Sequence, residues 1–426
     1  MIAGIILTPF DAAAILIVLA ALLGYVNSRW LGLPPSVGLT VMGALASLIV
    51  VGLDRLLPGS EVARDIVNFI SGIDFHKTLM EGMLSFLLFA GALHVDWGEM
   101  RRGRWPVLLL STLGVLLSTS LIGAGFFVLT AWLGLDVSFI WCLVFGALVS
   151  PTDPVAVLQV LKRTAVPPTL QATVAGESLF NDGVGVVVFT IILSIALGNE
   201  IFSPGAALGM FVMEAGGGVL LGLILGWLAY RAMRTIDDYN VEVMLSLAVV
   251  MGGYALARWV HVSGPVAMAT AGLLLGNHAV AHAMSDRTQD YLLKFWSVID
   301  DLLNAVLFLL IGLEVVTIPA DPRLIAVGLA AIPLALAARA ISVLLPLTAL
   351  RPFLTLGPLA PITLIWGGLR GGISVALALG LPLSSERSAT LAATYAIVLF
   401  AVIVQGGSIA RLLSFQSRRH DAAPAH

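Results

Sequence analysis

Apolar runs of about 20 residues recur along the whole chain, separated by short stretches with Pro, Gly or charged residues. A helix needs about 20 such residues to cross the hydrocarbon core of a bilayer. Hydrophobic residues make up 59% of the sequence and charged residues 11%, and the mean hydropathy is +1.02. A water-soluble domain needs more charge on its surface than this composition supplies. The pattern therefore predicts an all-α polytopic membrane protein.

Thirteen runs are long enough to be transmembrane helices. They are 12–28, 36–53, 77–95, 105–131, 137–162, 169–197, 205–232, 240–259, 263–281, 290–315, 323–350, 357–382 and 388–412. Residues 1–413 then form one transmembrane domain, and 414–426 form a short cytoplasmic tail. The segment 61–75 is a candidate interfacial helix.

The Lys and Arg residues are unevenly distributed between the two sets of loops. With a cytoplasmic C-terminus, 14 of the 22 lie on the cytoplasmic side and six outside, while Arg339 and Arg370 lie inside runs. Cytoplasmic loops of membrane proteins carry the excess of positive charge. We therefore expect the N-terminus outside and the C-terminus in the cytoplasm, in a plasma membrane of the bacterial inner-membrane type.

The fifth run is interrupted by the sequence SPTDP, in which Pro151 and Pro154 flank Thr152 and Asp153. Each proline removes a backbone donor and clashes with the preceding turn, so a regular helix cannot pass through this point. We predict two half-helices. Their free carbonyl and N–H groups would lie at membrane depth, where transporters use such groups to coordinate small ions.

The sixth run also contains polar side chains, but no proline interrupts it. Ser178 and Asp182 lie one turn apart on one face of the predicted helix, and Glu177 and Asn181 form a neighbouring pair. An ionisable group at the bilayer centre costs about 2.5 to 3.5 kcal/mol and usually marks an ion pathway. The alternative for Ser178 and Thr152 is that their hydroxyl groups only mediate helix packing.

The twelfth run has a second candidate break, because two glycine pairs flank Arg370, at 367–368 and 371–372. Each glycine weakens a helix by about 1 kcal/mol relative to alanine. Runs 1–6 and 8–13 would be inverted repeats, and the fifth and twelfth runs correspond in that arrangement. Interrupted helices at corresponding places in two halves indicate an ion site near the middle of the membrane.

Four segments resemble the cation/proton antiporters of the NhaP and NHE type: PTDPVAV, GESLFNDGVGVVVF, LNAVLFLLIGLE and WGGLRGGISVALAL. The resemblance implies about 13 helices in two inverted six-helix repeats with two crossing broken helices, usually in a homodimer. It also implies exchange of Na⁺, Li⁺ or K⁺ for H⁺ by an elevator-like movement. We expect transport elements at 77–197 and 323–413, and dimerisation or scaffold elements at 12–53 and 205–315.

The resemblance implies roles for single residues. Asp182 is similar to the carboxylate that binds either the cation or the proton, and Asp153 and Thr152 to its partners at the helix break. Ser178 is similar to a cation ligand, so Na⁺ or K⁺ is expected at these four residues. Asn181 stands where electrogenic relatives have an aspartate, which implies electroneutral one-for-one exchange.

Four charged or altered positions surround this predicted site. Glu177 is similar to a family glutamate that pairs with an arginine of the eleventh run, Arg339 here, and a buried pair of this kind would fix two helices together. Arg370 matches the arginine at the second break, where it either offsets the aspartates or holds the unwound turn by bonding the carbonyl groups of that turn. Ala90 departs from several family members, which have an acidic residue in the third run.

A single carboxylate that holds a cation or a proton, but never both, is enough to couple two flows. We therefore expect a secondary active antiporter for Na⁺, or for Li⁺ or K⁺, that works by alternating access. A K⁺-selective antiporter is the alternative. A passive cation channel fits less well, because the acids cluster at one depth between two breaks.

Other function classes lack the residues that they need. GESLF is not the nucleophile turn GxSxG, so we expect no enzyme activity and no cofactor. The net charge of −3 suggests no nucleic-acid partner, which leaves ions, protons and membrane lipids. Asp300, Asp301 and Glu214 lie inside runs without an assigned role and either line a wet cavity or make packing contacts.

Overall fold

The computed structural model describes residues 9–56, 74–161, 166–198, 203–280, 284–317, 321–349, 356–357 and 359–421. Nearly all of this part of the chain is helical, and its one β-type contact is an isolated bridge between Asp153 and Leu369. The helices are α1 (Phe10–Leu31), α2 (Pro35–Leu56), α3 (75–93), α4 (Trp97–Arg102), α5 (Arg104–Trp132), α6 (Phe139–Val149), α7 (Val155–Leu161), α8 (Pro168–Ala196), α9 (Pro204–Met233), α10 (Tyr239–Trp259), α11 (Gly264–Leu274), α12 (Asp286–Leu313), α13 (Pro322–Ala349), α14 (Ala360–Trp366), α15 (Gly372–Leu379) and α16 (Ser385–Leu413).

Each of the thirteen predicted runs contains a helix or a pair of short helices in this part of the chain. Eight of the described helices are long and apolar enough to cross a membrane, which confirms the predicted all-α membrane class. The number of crossings stays a prediction. The candidate interfacial helix at 61–75 lies almost wholly outside the described residues, and the helix that contains α16 continues to Asp421, into the predicted tail.

Large apolar side chains cover the outside of the helical bundle. Trp132 is 86% exposed, Val128 and Met213 are each 67% exposed, and Leu208 is 64% exposed. Polar and charged side chains such as Asp182 are instead buried in the interior. This distribution is the reverse of that of a water-soluble protein and is the one expected for a bundle surrounded by lipid.

Glycines let several helices approach each other closely. On α9, Gly218 and Gly222 lie against backbone carbonyl groups at the start of α11, so that a Cβ atom at Gly218 would lie 2.7 Å from the Ser263 oxygen. Gly43 of α2 and Gly312 of α12 make a similar contact. Close approach through small residues is the usual way in which membrane helices pack. Helix α12 is therefore packed closely against α2 near its C-terminal end.

Two of the predicted runs are broken, as the sequence indicates. Helix α6 ends at Val149 and α7 begins at Val155, so the first break contains the SPTDP sequence. Helix α14 ends at Trp366 and α15 begins at Gly372. The two breaks cross, and the Asp153 backbone N–H donates a hydrogen bond of 2.7 Å to the Leu369 carbonyl group. Both predicted breaks and their crossing are thus confirmed.

Candidate functional site

Arg370 joins the two breaks. It is 3% exposed, and its Nη1 donates hydrogen bonds to the carbonyl oxygens of Ser150 at 2.6 Å and Pro151 at 3.1 Å. These carbonyl groups are left without helical partners because the prolines end α6. Arg370 thus bonds carbonyl groups of the first break, while the predicted compensation of the aspartate charges stays a prediction. Its positive charge lies within the same crossing as Asp153.

One face of α8 holds the first break through three hydrogen bonds to Thr152. The Asn181 amide Nδ2 donates to Thr152 Oγ1 at 2.7 Å, and the Thr152 backbone N–H donates to Asn181 Oδ1 at 3.3 Å. The Ser178 hydroxyl donates to the Thr152 carbonyl oxygen. All three side chains are at most 3% exposed. Because buried polar groups are costly when unpaired, this set fixes the conformation of the break.

The predicted ion pair is present between α8 and α13. Arg339 donates two hydrogen bonds to the Glu177 carboxylate, at 2.8 Å to Oε1 and 3.0 Å to Oε2. Glu177 Oε1 also accepts a bond of 3.0 Å from Asn181 Nδ2. Arg339 donates further to the Leu364 carbonyl oxygen, near the end of α14. A continuous polar chain therefore connects both broken helices to α8 and α13.

Asp182 differs from these paired residues. It is 8% exposed, and its Oδ1 atom has no hydrogen-bond partner in the structure. The Asp153 carboxylate is half-buried, and its Oδ1 accepts a hydrogen bond of 2.9 Å from the backbone N–H of Val155 at the start of α7. A Cβ atom at position 371 would lie 2.5 Å from Asp153 Oδ2, so glycine is needed at this crossing. Asp182 thus keeps an unused acceptor in a buried place.

Both aspartates line a cavity of about 240 Å³. Its polar lining consists of Thr152, Asp153, Ser178, Asp182, Ser297, Asp300, Asp301, Asn304, Ser374 and His94. The mouth is at the end of the bundle near α4, where Gly91, His94 and Asp301 are exposed. The deep end is lined by Leu79, Leu84 and Leu307, which are at most 4% exposed. Water and small ions can therefore reach Asp182 from the α4 end.

The structure divides the predicted site residues into two groups. Thr152, Asp153, Ser178 and Asp182 line the cavity, and they offer it carboxylate, hydroxyl and carbonyl oxygen atoms. Asn181, Glu177, Arg339 and Arg370 are absent from its lining and lie behind it, where they pair with one another and with the two breaks. Oxygen donors of this kind suit a hard cation such as Na⁺ or K⁺.

The cavity lining includes two of the three acidic residues that had no assigned role. Asp300 and Asp301 line the cavity, which agrees with the first of the two predicted alternatives, lining a wet cavity or making packing contacts. Glu214 lies on α9 away from this lining, and its carbonyl group accepts a hydrogen bond of 3.0 Å from the Ser263 N–H. The sequence interpretation missed Ser297 and Asn304. Their spacing from Asp300 and Asp301, three or four residues along one helix, was the available signal.

A family model described as "Sodium/hydrogen exchanger, transmembrane" matches residues 17–415. The chain belongs to the sodium/hydrogen exchanger family. This exchanger is 48% identical over 408 residues to the Na(+)/H(+) antiporter NhaP of Pseudomonas aeruginosa, with 95% of the chain and 96% of the relative covered. It is 36% identical over 379 residues to the Na(+)/H(+) antiporter NhaH of Halobacillus aidingensis, with 88% and 89% covered.

The fold of the exchanger also matches a solved structure. The sodium proton antiporter MjNhaP1 of Methanocaldococcus jannaschii, determined at pH 8, superimposes with a TM-score of 0.73 at 21% sequence identity. The match covers 94% of this chain and 100% of the other. The family resemblance seen in the four sequence segments is therefore confirmed by the whole sequence, and the antiporter fold by the structure.

Proposed function

We propose that this exchanger is a secondary active antiporter that exchanges Na⁺ for H⁺ across the membrane at Asp182. The single observation that carries the proposal is the unpaired Oδ1 of Asp182, buried at the inner part of a cavity between two crossed helix breaks. A carboxylate oxygen without a donor in such a place needs a proton or a cation. Both relatives described above are named Na(+)/H(+) antiporters, which supports the choice of Na⁺.

Competition at one carboxylate couples the two flows. When Na⁺ is bound, Asp182 and Asp153 supply carboxylate oxygens, and Ser178 Oγ and the Thr152 carbonyl oxygen complete the shell. When a proton binds Asp182, its carboxylate loses the charge that holds the cation. The empty, ionised site is costly to carry through a low-dielectric barrier, so the protein changes conformation only when one of the two is bound.

The exchange is proposed to be electroneutral. Asn181 adds no titrating charge, because a carboxamide does not ionise, and its amide is hydrogen-bonded to Thr152 and Glu177. The charge of Glu177 is matched by that of Arg339 in a bidentate pair. Asp182 is then the carboxylate that changes its partner, so one Na⁺ exchanges for one H⁺.

Alternating access is proposed to proceed by movement of 77–197 and 323–413 against 12–53 and 205–315 in a homodimer surrounded by lipid. The conformation described here has its cavity open at the α4 end. Exposed Arg101 and Arg102 of α4 support the placement of this end in the cytoplasm. The N-terminus would then lie outside the cell.

The proposal is tested with Asp182→Asn in proteoliposomes that contain a pH-sensitive dye. We expect Na⁺-driven proton flux to be lost, whereas the thermal stability of the purified variant in detergent stays close to that of the wild type. Asp290→Asn, an exposed position on α12 paired with Lys294, is the matched control and keeps its activity. Substantial Na⁺-driven proton flux in the Asp182 variant would contradict the proposal.

The same vesicles address selectivity and coupling. Flux is measured with Na⁺, Li⁺ and K⁺ in turn, with and without a clamp of the membrane potential. A rate that is the same with and without the clamp supports electroneutral exchange. A preference for K⁺ would replace Na⁺ as the substrate, and cation flux that does not depend on the proton gradient would indicate a channel instead.

A further inference from the structure

One face of α12 forms the wall of the cavity opposite the broken helices. Ser297, Asp300, Asp301 and Asn304 follow each other at spacings of three, one and three residues, so they lie on the same side of the helix. All four line the cavity that also contains Asp182. Between the mouth and Asp182, an ion must therefore pass along this polar face.

Burial along this face changes in the direction of the site. Ser297 and Asp301 are exposed, Asp300 is half-buried, and Asn304 is 7% exposed. The next residue of the face, Leu307, is apolar and 4% exposed. At a rise of 1.5 Å per residue, Asp300 and Asn304 are about 6 Å apart along the helix axis. The polar face thus leads from solvent to the depth of the site.

Asp300 is held in a defined orientation within this face. Its Oδ1 accepts a hydrogen bond of 3.0 Å from the Nδ2 of Asn304, one turn further into the cavity. Because Asn304 is buried, it loses little freedom in making this bond. Asp300 is therefore a positioned carboxylate, unlike the exposed Asp301 beside it.

The charge of the cavity favours cations along its whole length. Four carboxylates line it, those of Asp153, Asp182, Asp300 and Asp301, and none of the described lining residues is Lys or Arg. The unpaired and buried Oδ1 of Asp182 independently indicates a cation or proton ligand at the inner end of the same cavity. A fixed carboxylate between this atom and the mouth is in reach of every cation that approaches.

We propose that Asp300, positioned by Asn304, is a second cation-binding position, which an alkali cation occupies on its way between the mouth of the cavity and Asp182. The carboxylate replaces part of the hydration shell of the ion before the ion reaches the buried site. Asp301 adds only a general attraction at the exposed mouth. This inference rests on the proposed function, because it places a second binding position on the path of the transported ion.

The test compares Asp300→Asn with Asp301→Asn in Na⁺/H⁺ exchange by proteoliposomes, with Asp290→Asn, an exposed position of α12 outside the cavity lining, as the control. For Asp300→Asn we expect the apparent KM for Na⁺ to rise about three- to tenfold, as for the loss of one partly buried charge, while the maximal rate is kept. We expect Asn304→Leu to give part of this rise, because it removes the hydrogen bond that orients the carboxylate, and Asp300→Glu to restore most of the wild-type KM.

Ionic strength separates a binding position from general attraction. Attraction at a distance is screened by an inert salt, whereas direct coordination is screened much less. We expect the effect of Asp300→Asn to persist in high choline chloride and that of Asp301→Asn to vanish. Equal effects of the two variants, or an Asp300→Asn effect that vanishes with salt, would overturn the inference.

Failure of this inference is distinct from failure of the proposed function. If Asp182→Asn abolishes exchange while Asp300→Asn leaves the KM for Na⁺ unchanged, the main site stands and the second position is refuted. If Asp182→Asn leaves exchange intact, the proposed function itself is refuted. Size-exclusion profiles and thermal unfolding of each variant establish that it is folded before its kinetics are compared.

Discussion

The ion pair between Glu177 and Arg339 gives the sharpest prediction about stability. Glu177 is 2% exposed and Arg339 is 6% exposed, and they share two hydrogen bonds of 2.8 and 3.0 Å. In Glu177→Gln the arginine keeps its charge but loses the carboxylate that balances it. The Leu364 carbonyl oxygen remains its partner, and this neutral group does not replace a negative charge.

The magnitude follows from the burial of both groups. Removal of one partner from a buried ion pair costs about 3 to 5 kcal/mol, because an uncompensated charge is left behind. At roughly 2 °C for each kcal/mol, the melting temperature should fall by about 6 to 10 °C. The double variant Glu177→Gln/Arg339→Gln removes both charges, so we expect it to regain at least half of this loss.

The assay is thermal unfolding of the purified protein in one detergent, followed by intrinsic tryptophan fluorescence. Asp290→Asn breaks a solvent-exposed pair with Lys294 on α12 and should leave the melting temperature nearly unchanged. The reasoning would be refuted if the single and double variants lost equal stability. A melting temperature of Glu177→Gln equal to that of the wild type would refute it as well.

Two further predictions concern the packing around the helix breaks. Asn181→Asp would place a carboxylate where the amide donates a bond of 3.0 Å to Glu177, so repulsion should lower the melting temperature by several degrees, and an unchanged value in thermal unfolding would contradict this account. Gly371→Ala would push a Cβ atom into the Asp153 carboxylate and should reduce Na⁺-driven proton flux in vesicles about tenfold or more. Gly407→Ala, where a Cβ atom meets nothing within 4 Å, is the control, and equal flux in the two variants would refute the argument.

The helix breaks were predictable because their cause is local. Pro151 and Pro154 interrupt a helix in any tertiary context. In the second broken helix, two glycine pairs flank Arg370 and weaken the helix at that point. The pairing of Glu177 with Arg339 could be predicted only from the family resemblance, because the two residues are far apart in sequence. The sequence could not show that Ser297 and Asn304 line the cavity. Their spacing places them on one face of α12, but it does not show which other helices that face contacts.

The sequence by itself determined the class of this protein, because its apolar runs are those of helices surrounded by lipid. It also indicated where the ion site lies, because acidic residues inside such runs are costly and usually mark an ion pathway. Hydropathy and proline chemistry act over a few residues, so they can be read without a fold. Only the tertiary structure decided which side-chain oxygen atoms have a hydrogen-bond partner. Asn181 and Asp182 are neighbours on one helix, but the crossing of the two breaks pairs the first completely and leaves Oδ1 of the second without a partner. That difference depends on contacts between distant segments, which no local pattern contains.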